Sequence, residues 1–268
     1  MYSIISTKLE NLTDLNYYFR AMNHPPNPII MNLLAVVTGG SRGIGRAVVL
    51  KLLEEGFDVI TCARSQSGLL ALQEEVKNQF PGTTLYISAA DLSVRQEVEM
   101  FGDYILQIAE GRSLDFILHN TGVFWPGAIG EEGPGVLEKT METNVYSAYY
   151  LTKSLLEKMK TQNSGHIFMM CSIASLIAYP NGGSYCISKF ALLGMSKVLR
   201  EELRPYHIRV TAVMPGATLT DSWEGSGLPE SRFIKAEDIA TTVLAAYKMS
   251  PGAVMEEVVI RPQAGDIV

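Results

Sequence analysis

The sequence predicts an α/β protein built as one doubly wound domain, a seven-stranded, mostly parallel sheet with helices on both faces. Three observations predict it. Seven short apolar runs recur between residues 33 and 260, several of them nearly unbroken, as parallel strands covered on both faces require. The stretches between these runs are longer and space their apolar residues as helices do. Turns rich in Gly, Asn and Ser fall just after the runs, beyond the carboxyl ends of the strands, where such sheets bind ligands.

In order, the strand candidates are "LLAVVT" (33–38), "FDVITCA" (57–63), "TLYIS" (84–88), "LDFIL" (114–118), "HIFMMC" (166–171), "IRVTAV" (208–213) and "EEVVI" (256–260). After the first, Ile44, Val48 and Leu52 recur every four residues, and Gly56 supplies a stop for that helix. Strand–helix–strand units then repeat along the chain, and right-handed crossovers join them into one sheet.

Composition bounds the function. The 268 residues are 47% hydrophobic and 19% charged, ordinary values for a globular chain. The net charge of −6 is spread without long runs and offers no basic face, so nucleic acid is not an expected partner. No apolar run approaches the roughly 18 residues of a membrane span. Cys62, Cys171 and Cys186 are an odd number, two of them in apolar runs, and read as buried free thiols of a reducing, cytoplasmic compartment. The four histidines are scattered without ligand spacing, so no metal site is expected. Glu10 and Asp14 stand where a signal peptide needs an apolar centre, and "HPPNP" reads as a stiff linker. Residues 1–31 are therefore read as an appendage of unknown role, with Met31 an alternative start, ahead of a domain spanning 32–268.

"TGGSRGIG" (38–45) ends the first strand and opens the first helix. Missing Cβ atoms at Gly39, Gly43 and Gly45 let backbone N–H groups and a helix N-terminus approach a pyrophosphate. After the second strand, an NAD site would carry an acid for the ribose 2′-hydroxyl, but "TCARS" offers Arg64. With Arg42 in the glycine turn, two guanidinium groups suit a 2′-phosphate, so NADP(H) is preferred and NAD(H) remains possible. Asp91 in "AADLS" can accept from an adenine amino group or cap the helix starting near Val94. Gly122 in "LHNTG" lets backbone approach the cofactor. In "SYCISKF", Tyr185 and Lys189 are i,i+4 neighbours on a helix, a pattern that alone fits an ordinary amphipathic turn as well as a catalytic pair.

Seven pieces in order, "TGGSRGIG", "DLS", "NTG", "TNVYS", "CSIAS", "YCISK" and "PGATLT", give the chain a resemblance to the short-chain dehydrogenase/reductase family over roughly residues 33–262. The resemblance implies a Rossmann fold and a catalytic tetrad of Asn144, Ser172, Tyr185 and Lys189, with Ser172 the usual 13 residues before Tyr185. It implies cofactor contacts at Gly39, Ser41, Arg42, Gly43, Ile44, Gly45, Arg64, Asp91, Asn120 and Gly122. It adds Tyr185 and Lys189 and, at the nicotinamide end, Pro215, Gly216, Thr218 and Thr220. Reducing a carbonyl with hydride needs a proton donor, and a free phenol with a pKa of about 10 is a poor one near neutrality. The Lys189 ammonium and the positive charge of an oxidised nicotinamide are expected to lower that pKa, and Lys189 to reach the nicotinamide ribose, while Ser172 hydrogen-bonds the substrate oxygen. Asn144 is expected to hold a water that links Lys189 to solvent.

Two departures from the family pattern are His119 and Thr121 in "HNTG" and Thr218 in place of a branched aliphatic residue. His119 reads as structural, having no paired acid in sight. The segment 221–234 reads as a short flap, and Phe124, Trp125, Tyr179 and Trp223 as apolar pocket walls, which favours a small or flat carbonyl compound. Two kinds of relative compete: a carbonyl reductase of the sepiapterin-reductase-like kind, which "PGATLTDSW" and the C-terminal stretch favour, and a 3-oxoacyl-[acyl-carrier-protein] reductase. A non-catalytic dinucleotide sensor is the alternative from another class, and the complete tetrad weighs against it. The family's habit implies a homodimer or homotetramer through the helices around Asn144 and Tyr185 and through the C-terminal strand.

Overall fold

The structure is a computed structural model that describes residues 31–223 and 225–267. The segment read as an appendage lies outside the described residues, apart from Met31. The chain divides into two units, Met1–Met31 and Asn32–Val268, and the second holds the whole sheet.

Seven strands form it: β1 (Leu34–Thr38), β2 (Asp58–Ala63), β3 (Leu85–Ala89), β4 (Phe116–His119), β5 (Gly165–Met170), β6 (Ile208–Pro215) and β7 (Glu257–Ile260). Between them run α1 (Gly43–Glu54), α2 (Gln66–Val76), α3 (Arg95–Ile108), α4 (Val136–Met141), α5 (Ser147–Gln162), α6 (Gly183–Leu203) and α7 (Ala236–Tyr247). A π turn, Glu142–Tyr146, joins α4 to α5. The strand order is β3-β2-β1-β4-β5-β6-β7, and every pairing is parallel.

Strand residues point alternately to the two faces, so each apolar run feeds two cores. On one face Leu34, Val36, Ile60 and Ile167 pack with Phe101 and Ile105 of α3, Leu151 and Leu155 of α5 and Leu192 of α6. On the other, Ala35, Val37 and Phe168 meet Val48 and Leu52 of α1, Leu72 of α2 and Ile239 and Val243 of α7. Gly56, in a left-handed conformation at φ +84°, closes the end of α1 by donating to the Leu53 carbonyl at 3.0 Å, as its place in the sequence predicts.

The order places β1 at the reversal of the chain's path. Its neighbours β2 and β4 are reached by connections leaving in opposite directions, which opens a crevice beyond the carboxyl ends of β1 and β4. The glycine turn after β1 and the Asn120 turn after β4 meet there.

Candidate active site

The glycine turn hangs from three strands. Gly39 and Gly40 donate their amides to the Cys62 carbonyl on β2 at 3.0 and 3.2 Å. Thr38 at the end of β1 accepts the amides of Asn120 and Thr121 on its hydroxyl at 2.9 and 3.0 Å, tying β1 to the turn after β4. The Asn120 side chain reaches back and donates to the carbonyls of Thr38 and Gly39 at 2.9 and 3.2 Å. Asn120 thus braces the turn with its amide. The first turn of α1, entered through Gly43 at φ +54°, has no side-chain cap, so no N-cap side chain accepts from its first N–H groups. A Cβ at Gly45 would lie 2.2 Å from the Gly39 carbonyl oxygen, and one at Gly40 would lie 2.1 Å from the Thr61 hydroxyl. Gly40 and Thr38 are site residues the sequence reading passed over; the "TGG" doublet is the signal for the first.

Around this cradle, Ser41 and Ile44 are half-buried and Arg64 is exposed, with no ion pair among the described residues. Arg42 is exposed but paired, its guanidinium 2.8 Å from Asp221 beyond β6. Asp91 does not cap α3. Its carboxylate accepts from the amide and hydroxyl of Ser93 at 3.0 and 2.8 Å, closing its own turn, while the cap position, Val94, carries no side-chain bond.

Ser172 follows β5 in extended conformation, and its hydroxyl accepts from the Ala174 amide at 3.1 Å. Tyr185 and Lys189 lie one turn apart near the start of α6. Lys189 is buried, its ammonium 5.7 Å from the centre of the Tyr185 ring and donating to the Met170 carbonyl at 2.8 Å. A Cβ at Gly122 would stand 3.4 Å from Asn144 Oδ1 and 3.6 Å from Lys189 Nζ, so these three crowd one corner. Asn144 sits in the π turn. Its side chain is bonded to the protein through both of its polar atoms. Oδ1 accepts the Val123 amide at 2.7 Å, and Nδ2 donates to the Val123 carbonyl at 3.0 Å and the Ser188 hydroxyl at 2.9 Å. Ser188, which the sequence reading missed, joins Asn144 to the helix that carries Tyr185.

The electrostatics differ from expectation in one respect. The Tyr185 phenol is raised above its ordinary pKa because burial dominates, with the Ser172 side chain pulling downward and the nearby thiols of Cys186 and Cys171 adding to the rise. Lys189 does not reverse this. Its ammonium is turned to Met170, and burial lowers its own pKa to about 8. The resting site therefore presents a protonated phenol beside a lysine poised near neutrality.

At the far wall, Pro215 ends β6 and Gly216 donates to the Ile260 carbonyl at 2.7 Å. The Thr218 hydroxyl donates to the Gly216 carbonyl at 3.0 Å, and the Thr220 methyl faces Gly43 across the crevice. Leu219 and Ala217 pair with Ile234, pinning the base of the flap at 2.8 and 2.9 Å. Of the four proposed walls, Phe124 meets the Tyr185 ring edge-on at 4.8 Å, and Tyr179 lies near Tyr185 beside Gly182. Trp125 is exposed, and Trp223 packs on Phe233 within the flap at 5.1 Å.

His119 is buried, bonded through Nε2 to the Thr152 hydroxyl at 2.8 Å, and burial lowers its pKa to about 3, which makes it a neutral structural group. All three cysteines are buried and free, and burial raises Cys62 to about 12 and Cys171 to about 11. Among the described residues no group of three potential ligands could hold a metal, and no helix is long and apolar enough to cross a membrane.

Residues 33–230 match the family described as short chain dehydrogenase. Over 243 residues the chain is 29% identical to a sepiapterin reductase of Chlorobaculum tepidum, a match covering 88% of this chain and 99% of that protein. It is 32% identical over 211 residues to a 3alpha-hydroxysteroid dehydrogenase of Mediterraneibacter gnavus, covering 76% and 80%. Among solved structures, an alcohol dehydrogenase from the archaeon Thermococcus sibiricus, complexed with 5-hydroxy-NADP, is similar with a TM-score of 0.79 at 25% identity, covering 88% of this chain and 99% of that one.

Proposed function

Since the chain belongs to the short chain dehydrogenase family, oxidoreductases acting on CH–OH and C=O groups, we propose that it interconverts a small carbonyl compound and its secondary alcohol using NADP(H), with Tyr185 as proton donor and acceptor. The observation that carries this reading is the meeting of Ser172, Tyr185 and Lys189 with the glycine cradle at one end of the sheet.

A dinucleotide fits the cradle. Gly40 and Gly45 leave room only for backbone, the start of α1 is uncapped, and two arginines flank it. The turn Gly39–Gly45, including Ser41 and Ile44, would hold the pyrophosphate, and Asp91 the adenine. Asn120 would act through the turn it braces and Gly122 through its backbone, with Lys189 at the ribose and Pro215, Gly216, Thr218 and Thr220 at the nicotinamide. When bound, the cofactor supplies the hydride. The protein's own part is to donate a proton from the Tyr185 hydroxyl to the carbonyl oxygen in reduction. Ser172 hydrogen-bonds that oxygen as charge develops, and Lys189 holds positive charge beside the phenol. Asn144 keeps the turn at Val123 and the helix at Ser188 in register.

The preference for NADP(H) rests on the missing carboxylate at the end of β2, where Arg64 stands exposed without an ion pair among the described residues. Arg42 would exchange Asp221 for phosphate. Arg64→Asp is expected to lower kcat/KM with NADPH about ten- to a hundredfold, the worth of a charge-assisted bond, and to raise the NADH share. Steady-state kinetics with both cofactors checks this, and an unchanged ratio would assign the choice to Arg42 or the backbone.

The aromatic surroundings of Tyr185 and the match to a sepiapterin reductase over nearly its whole length favour a flat or small carbonyl substrate. NADPH oxidation across ketones, diketones, pterins and short 3-oxoacyl thioesters tests the reading. Turnover of thioesters alone would replace it, and tight NADPH binding without any turnover would point to a sensor. Exposed Tyr146, Tyr149, Ile187, Phe190 and Val198, on the π turn and the faces of α5 and α6, support a homo-oligomer through those helices. Sedimentation as a monomer at micromolar concentration would refute that.

A further inference from the structure

The helix that carries Tyr185 starts without a cap of its own. Its N-cap residue is Gly182, which has no side chain to accept the orphan amides of the first turn. The acceptor comes from outside. Glu132, in the loop after β4, accepts the Ser184 amide on Oε1 at 2.7 Å and the Ser184 hydroxyl on Oε2. Ser184 is buried, so these donors would otherwise be unsatisfied.

The fit is close on both sides. A Cβ at Gly183 would lie 2.2 Å from Glu132 Oε1 and 2.7 Å from the Gly127 carbonyl oxygen, and one at Gly127 would lie 3.1 Å from the Glu132 side chain. Gly127 also donates to the Asn181 carbonyl at 2.9 Å and forms a bridge with Gly182. The loop is thus bound to the start of α6 at two points. It presses on Tyr185 at a third, through Phe124 at 4.8 Å from the Tyr185 ring. A carboxylate at a helix N-terminus is also favoured by the helix dipole.

We propose that Glu132 is a positioning residue for the reaction: it fixes the first turn of α6, and with it Tyr185, against the loop that carries Phe124. The proposal rests on the reading of Tyr185 as proton donor. Glu132 itself touches no reacting atom.

The experiment compares Glu132→Ala and Glu132→Gln with the wild type, using any substrate the panel yields and a fluorescence titration of NADPH. Glu132→Ala is expected to lose about ten- to a hundredfold in kcat, the scale of a misplaced catalytic group, and to raise KM for the carbonyl compound. NADPH affinity is expected to stay within about twofold, because the glycine cradle lies on other elements. Glu132→Gln, whose amide can still accept from the Ser184 amide and donate to its hydroxyl, is expected to recover kcat to within about threefold of wild type. A Glu132→Ala variant that melts earlier but keeps its kcat would reduce Glu132 to a structural residue and overturn the proposal. So would equal losses in the alanine and glutamine variants. If the alanine variant does not fold, Glu132→Asp, one methylene shorter, is expected to show the kcat loss with NADPH binding intact, and full activity there overturns it as well. Tyr185→Phe, run alongside, separates the two readings. Turnover in that variant would refute the proton donor, whatever Glu132 does.

Discussion

Replacing Tyr185 with phenylalanine is expected to lower kcat about a thousandfold while leaving NADPH affinity within about twofold of wild type. The change removes one oxygen and keeps the ring that packs on Phe124. No neighbour is placed to take over. Ser172 can hydrogen-bond the substrate oxygen, but an aliphatic hydroxyl is a far weaker acid than a phenol, and Lys189 donates to the Met170 carbonyl. Because burial holds the phenol above its ordinary pKa, reduction should find it protonated at neutrality. The wild-type kcat/KM for reduction is then expected to stay level through neutral pH, to decline as pH rises through about 8, where Lys189 loses its charge, and to fall further through the raised phenol value. Single-turnover kinetics with NADPH checks the first expectation, and a pH profile the second. A variant within tenfold of wild type would place the donor elsewhere, and Lys189, lowered to about 8, would be the next group to examine.

Gly45→Ala is expected to weaken NADPH binding about a hundredfold or more. The new methyl would lie 2.2 Å from the Gly39 carbonyl oxygen and 2.5 Å from Asn120 Nδ2, two atoms that are themselves hydrogen-bonded to each other. Neither can swing aside as a flexible chain end does. Gly39 is backbone anchored to Cys62, and Asn120 is held by Thr38 as well. The turn must open, and the amides that would meet a pyrophosphate move with it. Overpacking of this kind also costs about 1–3 kcal/mol of stability, so the melting temperature is expected to fall by several degrees. Fluorescence titration and thermal unfolding together check this; unchanged NADPH affinity would show that the turn has slack its contacts do not suggest.

The architecture was legible because its signals are local. Parallel strands buried on both faces read as apolar runs, and all seven runs became strands within a residue or two. Tyr185 and Lys189 met because four residues make about one helical turn. What was hidden depends on distant partners. The Arg42–Asp221 pair joins residues 179 apart, and Asn144 is occupied by Val123 and Ser188, 21 and 44 residues away. Gly40 matters because of Thr61 on the next strand, and no reading of the turn alone supplies that neighbour. The π turn at Asn144 shifts the hydrogen-bond register without a composition that marks it. The effect of burial on Tyr185 was hidden for the same reason. Sequence spacing gives the lysine's distance along the helix, but not that its ammonium turns toward Met170 or that burial outweighs it.

The carbonyl of Cys62 carries the amides of both Gly39 and Gly40, while its sulfur is sealed in the core with its thiolate suppressed. One residue therefore reports on the seam between β1 and β2 from both ends. A thiol reagent can reach that sulfur only when the seam parts, so its rate of alkylation measures how often the native protein breathes at this point. A ligand gripping the turn would slow that clock by the free energy of its binding. Dinucleotide occupancy could then be followed by mass spectrometry on the unlabelled protein, with no substrate in hand.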